Sequence, residues 1–390
     1  MVSELSKKLD ILELYAELNL LLSCLPLSIH SKYIQVSNLI EEHSIDWNYF
    51  LRLAKYHKLV PQVYLCLKQS TQKNIPDFVL ASLRQQSCEI SLKNILHVKE
   101  LKKLISLFQT HEIEVIPFKG PTLAKLAYGS IDARQFCDLD VLVRRQDFDR
   151  SINLLISHSY RSSYIREGWN QSILNRIIKD LHYKFFTHEI SFGQKRKENS
   201  VFIDLHRNIS KYSPECFDKF SRQLVKMNLL EQSIQSLGPE DLLNVICIHN
   251  SQDGWMKFQA IYDVANLVYN NPTLNWSNVF EQAQNLRCRR RLLLGLALSQ
   301  SYFDIDLSES IKNMIREDQV ISNLIGQIGQ RLKAKPVSKR TYSMKISFQI
   351  MKMKMLESFD FKVKVLYEFF WSYFFVNFYR AKIMTTPLSK

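Results

Sequence analysis

Asp138 and Asp140 lie two residues apart in the apolar run 137–143. In an extended strand alternate side chains share a face, so both carboxylates point the same way while Cys137, Leu139 and Val141 point into a core. Side-by-side carboxylates repel, and a divalent cation between them is a common remedy. Upstream, residues 115–121 read as a short strand running into the turn Lys119-Gly120-Pro121, which opens a helix to Tyr128. A helix N-terminus beside a lysine, with a glycine for close approach, suits an anion such as phosphate. Downstream, residues 200–206 alternate as another strand, with Phe202, Asp204 and His206 on one face and Val201, Ile203 and Leu205 on the other. Phosphate together with a hard cation is the chemistry of nucleotidyl or phosphoryl transfer. Three acids on neighbouring strands can hold two metals, one activating an attacking hydroxyl and the other gathering the triphosphate and leaving oxygens.

The other polar residues near these blocks are open to more than one reading. Arg134 can clamp phosphate oxygens or pair with a local acid such as Asp132. His206 can sit near the metals, although a structural hydrogen bond is the commoner role. His249 and Asp263 lie on helical patterns that can pack over the site, and helix–helix hydrogen bonding explains them equally well. The sequence carries its own control in Asp304-Ile305-Asp306, which has the same spacing but no Lys-Gly turn before it. Ser308 after that pair reads as a helix cap, so the pair reads as a loop. There is no Walker-type loop, no Gly-x-Gly-x-x-Gly, no zinc-ligand spacing and no nucleophile elbow.

The elements that must position these residues are mostly helical. The chain has 390 residues, 46% apolar and 23% charged, with only 9 glycines, which is the balance of a helix-rich globular protein of two or three domains. Residues 1–110 read as an N-terminal helical region. Its patterns are 11–25, a helix capped by Asp46, short helices opened by Pro61 and Pro76, and a long helix over 77–110. The expected buried stripe of that long helix is Cys88, Leu92, Ile95, Leu96, Leu101, Leu104, Ile105 and Phe108. Residues 111–210 read as the α/β core, with strands at 114–118, 137–143 and 200–206 and helices at 121–128 and 146–158. An extra strand at 182–186 and an exposed turn at 195–199 fall in the less regular stretch 161–199. Residues 211–335 return to helix, at 239–250, 255–269, 276–286 and 289–302, and 336–390 form a basic, aromatic helical tail. The expected fold class is α+β and helix-rich, with one small mixed sheet between N- and C-terminal helical regions.

The net charge of +14 admits a polyanionic partner, nucleic acid included, but it is dispersed apart from Arg287, Arg289, Arg290, Arg291 and the tail. That dispersal favours an ordinary lysine-rich surface. Seven unpaired-looking cysteines without Cys-x-x-Cys fit reduced thiols in a cytoplasmic protein. Glu4, Asp10, Glu13 and Glu17 interrupt the N-terminal apolar region and argue against a signal peptide, and no apolar run is long enough for a transmembrane segment. The aromatic residues of the tail fall on nearly every face, which reads as a buried terminal helix rather than a membrane-surface segment.

The blocks Phe118-Lys-Gly-Pro-Thr-Leu-Ala124 with Tyr128, Arg134, Asp138-Leu-Asp-Val-Leu-Val143 and Asp204-Leu-His206 together resemble the uncharacterised bacterial nucleotidyltransferase family of the DNA polymerase beta superfamily. Asp46-Trp47 with Ala54, His57 and Pro61 looks like its helical lead-in, and residues 239–243 with His249, Trp255 and Asp263 like its follow-on. The resemblance thus covers roughly residues 40–300. It implies a minimal nucleotidyltransferase sheet and transfer of a nucleoside monophosphate from ATP or another NTP, dependent on Mg2+ or Mn2+. The acceptor hydroxyl is left open among small molecules, sugars, peptides and proteins. Asp138, Asp140 and Asp204 would be catalytic metal ligands, with Lys119, Gly120 and Arg134 binding the nucleotide. The wider superfamily carries Gly-Ser or Gly-Gly at the turn, where this chain has Lys119-Gly120-Pro121 and a longer gap to Asp138. That departure keeps open a catalytically silent member of the same fold that serves as a binding or interaction protein.

Overall fold

The computed structural model describes residues 15–25, 27, 32–70, 74–162, 187–194, 201–334 and 342–368. The first part is helical: α1 (Ala16–Ser23), α2 (Lys32–Glu42), α3 (Trp47–Tyr56), α4 (Val60–Gln69) and α5 (Asp77–Thr110). Asp46 starts α3 by accepting the Tyr49 amide at 2.9 Å, which satisfies one of the unpaired donors of a helix N-terminus. The 34-residue α5 spans about 50 Å and serves two cores. Val79, Leu83 and Ile90 join one, and Val98, Leu101, Leu104, Ile105 and Phe108 join the other. Its buried face differs from the expected stripe in the middle. Cys88, Leu92 and Leu96 are exposed, while polar Asn94 and His97 are buried. The reason is a tertiary demand: the Asn94 amide donates to the carbonyls of Ile131 and Arg134, at 2.7 and 2.8 Å, and so must face inward.

Five strands follow: β1 (Val115–Pro117), β2 (Asp138–Val143), β3 (Tyr160–Arg161), β4 (Glu189–Gln194) and β5 (Phe202–His206), in the spatial order β1-β2-β5-β4-β3. β2 and β5 are parallel and the other pairs antiparallel, so the sheet is mixed. Two helices belong to this core, α6 (Pro121–Tyr128) and α7 (Phe148–Ser157). One sheet face is apolar: Leu139, Val141, Val143, Ile190, Phe192, Ile203 and Leu205 pack with the second half of α5 and with Phe148, Ile152 and Leu155 of α7. Cys137 is an exception to the expected pattern, because the strand begins one residue later and its thiol is exposed. The expected strand at 182–186, the turn at 195–199, most of the aromatic tail and the start of the first helical pattern lie outside the described residues.

After the sheet, a short helix α8 (Phe217–Phe220) leads into a hairpin of β6 (Val225–Leu229) and β7 (Gln232–Ser236), in a region the sequence had assigned to helix. Leu230 and Glu231 make its tight turn at φ 44° and 65°, without the Gly or Asn that normally marks such a turn. Ser236 Oγ donates to the Pro117 carbonyl at 2.6 Å and fastens the hairpin to β1. The remainder is helical: α9 (Pro239–Gln252), α10 (Phe258–Tyr269), α11 (Trp276–Asn285), α12 (Arg289–Phe303), α13 (Glu309–Glu317), α14 (Gln319–Lys333) and α15 (Tyr342–Met355). Asp304 ends α12 in the left-handed region and Ser308 caps α13, so the Asp304–Asp306 pair is a loop. The arginine cluster is not a free basic patch, since Arg291 is buried, Arg290 pairs with Asp318 and Arg287 with Asp360. No helix among the described residues is long and apolar enough to cross a membrane.

A single apolar core joins α1–α4, the first half of α5, Ile116, Phe118, Leu123 and Leu142 to the helices α9–α14. The chain therefore returns to its own N-terminal helices after passing through the sheet. Where the halves meet, Arg134 donates to Asp263 of α10 through Nε and Nη2, both at 2.8 Å, and Tyr128 adds a 2.7 Å hydrogen bond to the same carboxylate. Asp263→Asn should leave the buried guanidinium without a counter-charge and cost about 3–5 kcal/mol. Urea unfolding measures this, and the double change Arg134→Met with Asp263→Leu should recover most of the loss.

Candidate functional site

The second face of the sheet carries the polar row. The register of β2 and β5 pairs Asp140 with Asp204, and Asp138 lies two residues before Asp140 on the same face. Ser191 of β4 is the register partner of Asp204 and hydrogen-bonds it through its side chain, and Glu189 is the partner of His206. Asp138, Asp140, Asp204, His206, Ser191 and Glu189 thus occupy one surface of three adjacent strands.

Asp140 sits at the centre of this surface with only 4% of its area exposed. Its Oδ1 faces Lys119 Nζ at 3.5 Å and His206 Nε2 at 3.2 Å. Oδ2 is buried and has no hydrogen-bond partner. Burial alone would raise the Asp140 pKa, but the ammonium of Lys119 and the hydrogen bond from His206 outweigh it and hold the carboxyl well below the usual range. The same contacts act in reverse on the partners. Burial would discharge Lys119 and His206, yet the negative charge of Asp140 keeps both raised and cationic. His249 of α9 packs its ring 5.8 Å from His206 and 5.7 Å from Phe118, and burial beside Lys119 drives it far down, to the neutral form. His188 is likewise pushed down to about 2 by burial and by His206.

Lys119 reaches Asp140 because the turn before α6 lies directly on β2. Gly120 adopts φ 54°, ψ −120°, which side-chain-bearing residues rarely reach, and a Cβ there would stand 3.0 Å from the Asp138 carbonyl oxygen. The close approach that this glycine permits is thus to β2. The loop from α6 to β2 is held from both sides. Gln62 of α4 donates to the Ala133 carbonyl, Asn94 of α5 to those of Ile131 and Arg134, and Gln259 of α10 to that of Gln135 at 3.0 Å. Arg134 belongs to this bracing. Its Nε and Nη2 are committed to Asp263.

The structure therefore brings Asp138, Asp140, Asp204, Lys119 and Gly120 together and pairs Arg134 with Asp263. The donors of the row are carboxylate oxygens, which suit a hard dication such as Mg2+ or Mn2+, and the partnerless Oδ2 of Asp140 is a buried anionic atom that such an ion would satisfy. Two further polar residues went unnoticed in the sequence, His188 and Glu189. They follow a stretch without clear periodicity, and the available signal was the alternation of Glu189, Ser191 and Gly193 against Ile190 and Phe192. Among the described residues, the potential metal ligands whose donor atoms all lie within 4.8 Å of one another are His188, Glu189 and His206. The three aspartates do not form so tight a group.

Residues 43–304 match the family described as uncharacterised nucleotidyltransferase. Among solved structures, an antigenic nucleotidyltransferase-like protein from Paracoccidioides brasiliensis is similar at 12% identity, over 60% of this chain and 91% of that one, with a TM-score of 0.31. No curated protein matches.

Two measurements check the electrostatics of the row. Gly120→Ala should cost about 1–3 kcal/mol in thermal unfolding and weaken Mn2+ binding, because the turn must back away from Asp138. The second concerns Asp204, whose pKa burial raises to about 6, helped by the charge of Asp140 and opposed by the Ser191 hydrogen bond. A raised acid stabilises the fold below the ordinary carboxylate range, and that contribution is lost as pH rises through about 6. A dication needs the ionised form, so the rise in Tm produced by Mg2+ should be full at pH 7.5 and mostly gone at pH 5. Asp204→Asn should remove that pH dependence.

Proposed function

The chain belongs to the uncharacterised nucleotidyltransferase family, and from that premise we propose that it transfers a nucleoside monophosphate from an NTP to an acceptor hydroxyl, releasing pyrophosphate. The observation that carries this reading is the parallel register of Asp140 with Asp204, with Asp138 in the same row and Lys119 3.5 Å from Asp140. Asp138, Asp140 and Asp204 would hold Mg2+ or Mn2+, which when bound supplies charge neutralisation at the triphosphate and acidifies the attacking hydroxyl. Lys119 is the cation available to the phosphates, as a point charge that exchanges Asp140 for a phosphate oxygen. Gly120 and the first amides of α6 present a helix N-terminus to the same anion. Arg134 contributes at one remove, by fixing the loop that sets the position of Asp138. Asp204 would also serve as the base that takes the acceptor hydroxyl's proton. The donor is ATP or another NTP.

One observation favours a second reading. Lys119 and His206 already balance the charge of Asp140 from within the protein. A chain that used these two cations in place of a metal would keep the fold as a catalytically silent binding protein.

Incubation with each α-labelled NTP, Mg2+ and a cell extract separates the two. Label should pass to an acceptor and pyrophosphate should appear. Asp138→Asn and Asp204→Asn should each lower the rate at least about 100-fold, on the order of 3 kcal/mol in the barrier. Absence of transfer with every NTP, together with nucleotide binding indifferent to Mg2+ and to Asp138→Asn, would establish the silent form.

A further inference from the structure

His206 faces two ways. Its Nε2 lies 3.2 Å from Asp140 Oδ1, and its Nδ1 lies 3.5 Å from Glu189 Oε2. The Nδ1 atom is buried, in a side chain with no exposed area, and no hydrogen bond reaches it. Glu189 Oε2 is also 3.4 Å from His188 Nε2. Two imidazole nitrogens and one carboxylate oxygen therefore converge, all within 4.8 Å of one another.

From this convergence we infer that His188, Glu189 and His206 form a second cation site, selective for a first-row transition dication such as Zn2+ and distinct from the aspartate row. The spacing is right for it. Ligand atoms about 2.0–2.1 Å from a tetrahedral Zn2+ stand about 3.4 Å apart, close to the separations that Glu189 makes with both histidines. The donor set is right as well. Imidazole nitrogen favours Zn2+ or Fe2+ strongly over Mg2+, whereas the all-oxygen aspartate row suits Mg2+ or Mn2+. The second shell is in place, because a ligating histidine normally donates its other ring N–H to a carboxylate, which here is Asp140. Entry is open on the Glu189 side, where the side chain is 41% exposed, and solvent can fill the fourth position.

Such an ion would replace the proton on Nδ1 and leave His206 a fixed Nε2–H donor to Asp140 Oδ1. That sets the rotation of the Asp140 carboxylate and aims Oδ2 into the row. The site thus positions a residue of the proposed reaction, but its own existence does not depend on that reaction.

The test uses the full chain stripped with a chelator and then titrated with Zn2+ by calorimetry and with Co2+ by visible absorption. One equivalent should bind, with the ligand-field bands of a four-coordinate Co2+ that excess Mg2+ does not bleach. His188→Ala and Glu189→Gln should each weaken binding at least about tenfold, while Asp138→Asn leaves the Co2+ spectrum unchanged. His206→Ala is the less useful variant, since that ring is buried and its loss can unfold the sheet. The inference is overturned if no transition ion binds, which would make His206 a protonated bridge between Asp140 and Glu189. It is equally overturned if binding survives both His188→Ala and Glu189→Gln but disappears in Asp138→Asn. A Co2+ spectrum without any nucleotide transfer would sink the proposed reaction and leave this site standing.

Discussion

The structure is arranged around one buried negative charge. Asp140 is nearly inaccessible, is ionised, and has Asp204 at the same level of the next strand. Removing a carboxylate from water costs several kcal/mol unless cations and hydrogen bonds replace the lost hydration. Lys119 and His206 meet that requirement at one oxygen and leave the other bare. The half-satisfied state is informative. A fully paired carboxylate would be a structural ion pair, whereas Oδ2 is a buried oxygen with no hydrogen-bond partner. The neutral His249 and His188 fit the same electrostatics. Burial is the main reason that both stay neutral, and the positive charge of Lys119 and His206 beside them adds to it.

Holding like charges side by side needs a stiff frame, and the frame is unusual in where it comes from. The loop between α6 and β2 has no regular partner strand of its own apart from a brief 3-10 turn. Its carbonyls are instead taken by Gln62, Asn94 and Gln259, side chains drawn from helices on either side of the sheet in the sequence. The pair Arg134–Asp263 closes the arrangement across 129 residues of chain. Each contact is modest, about 1 kcal/mol for a neutral hydrogen bond and more for the ionic one, but all act on the same eight or so residues. Because they converge there, the position of Asp138 is set by the packing of two helical regions and not by the sheet alone.

Much of this was visible in the residues. A two-residue period placed Asp138 and Asp140 on one face, and alternation placed Asp204 and His206 together, because strand geometry is local. Asp46, Ser308, Pro61 in the first turn of α4 and Pro76 just before α5 marked helix starts for similarly local reasons. What escaped was set by distant partners. The inward face of α5 was misjudged because Asn94 is called inward by a loop some forty positions away, and Leu92 gives way to it. The β6–β7 hairpin was missed because Leu230 and Glu231 adopt left-handed angles that their side chains do not advertise. The commitment of Arg134 to Asp263 rather than to Asp132 could not be read from spacing, since nothing in either segment points to the other.

The shared grip on the 129–137 loop has a consequence for how this protein can be taken apart. A fragment cut to the strands and their two helices would retain every carboxylate yet lose the Gln62, Asn94 and Gln259 side chains that fix where those carboxylates stand. The family match, opening at residue 43 and running on to 304, encloses that whole set of contacts, which reaches from Gln62 to Asp263. The helices before and after the sheet are therefore not exchangeable modules. They form a clamp that must be inherited whole, and the smallest heritable unit of the site is about two-thirds of the chain.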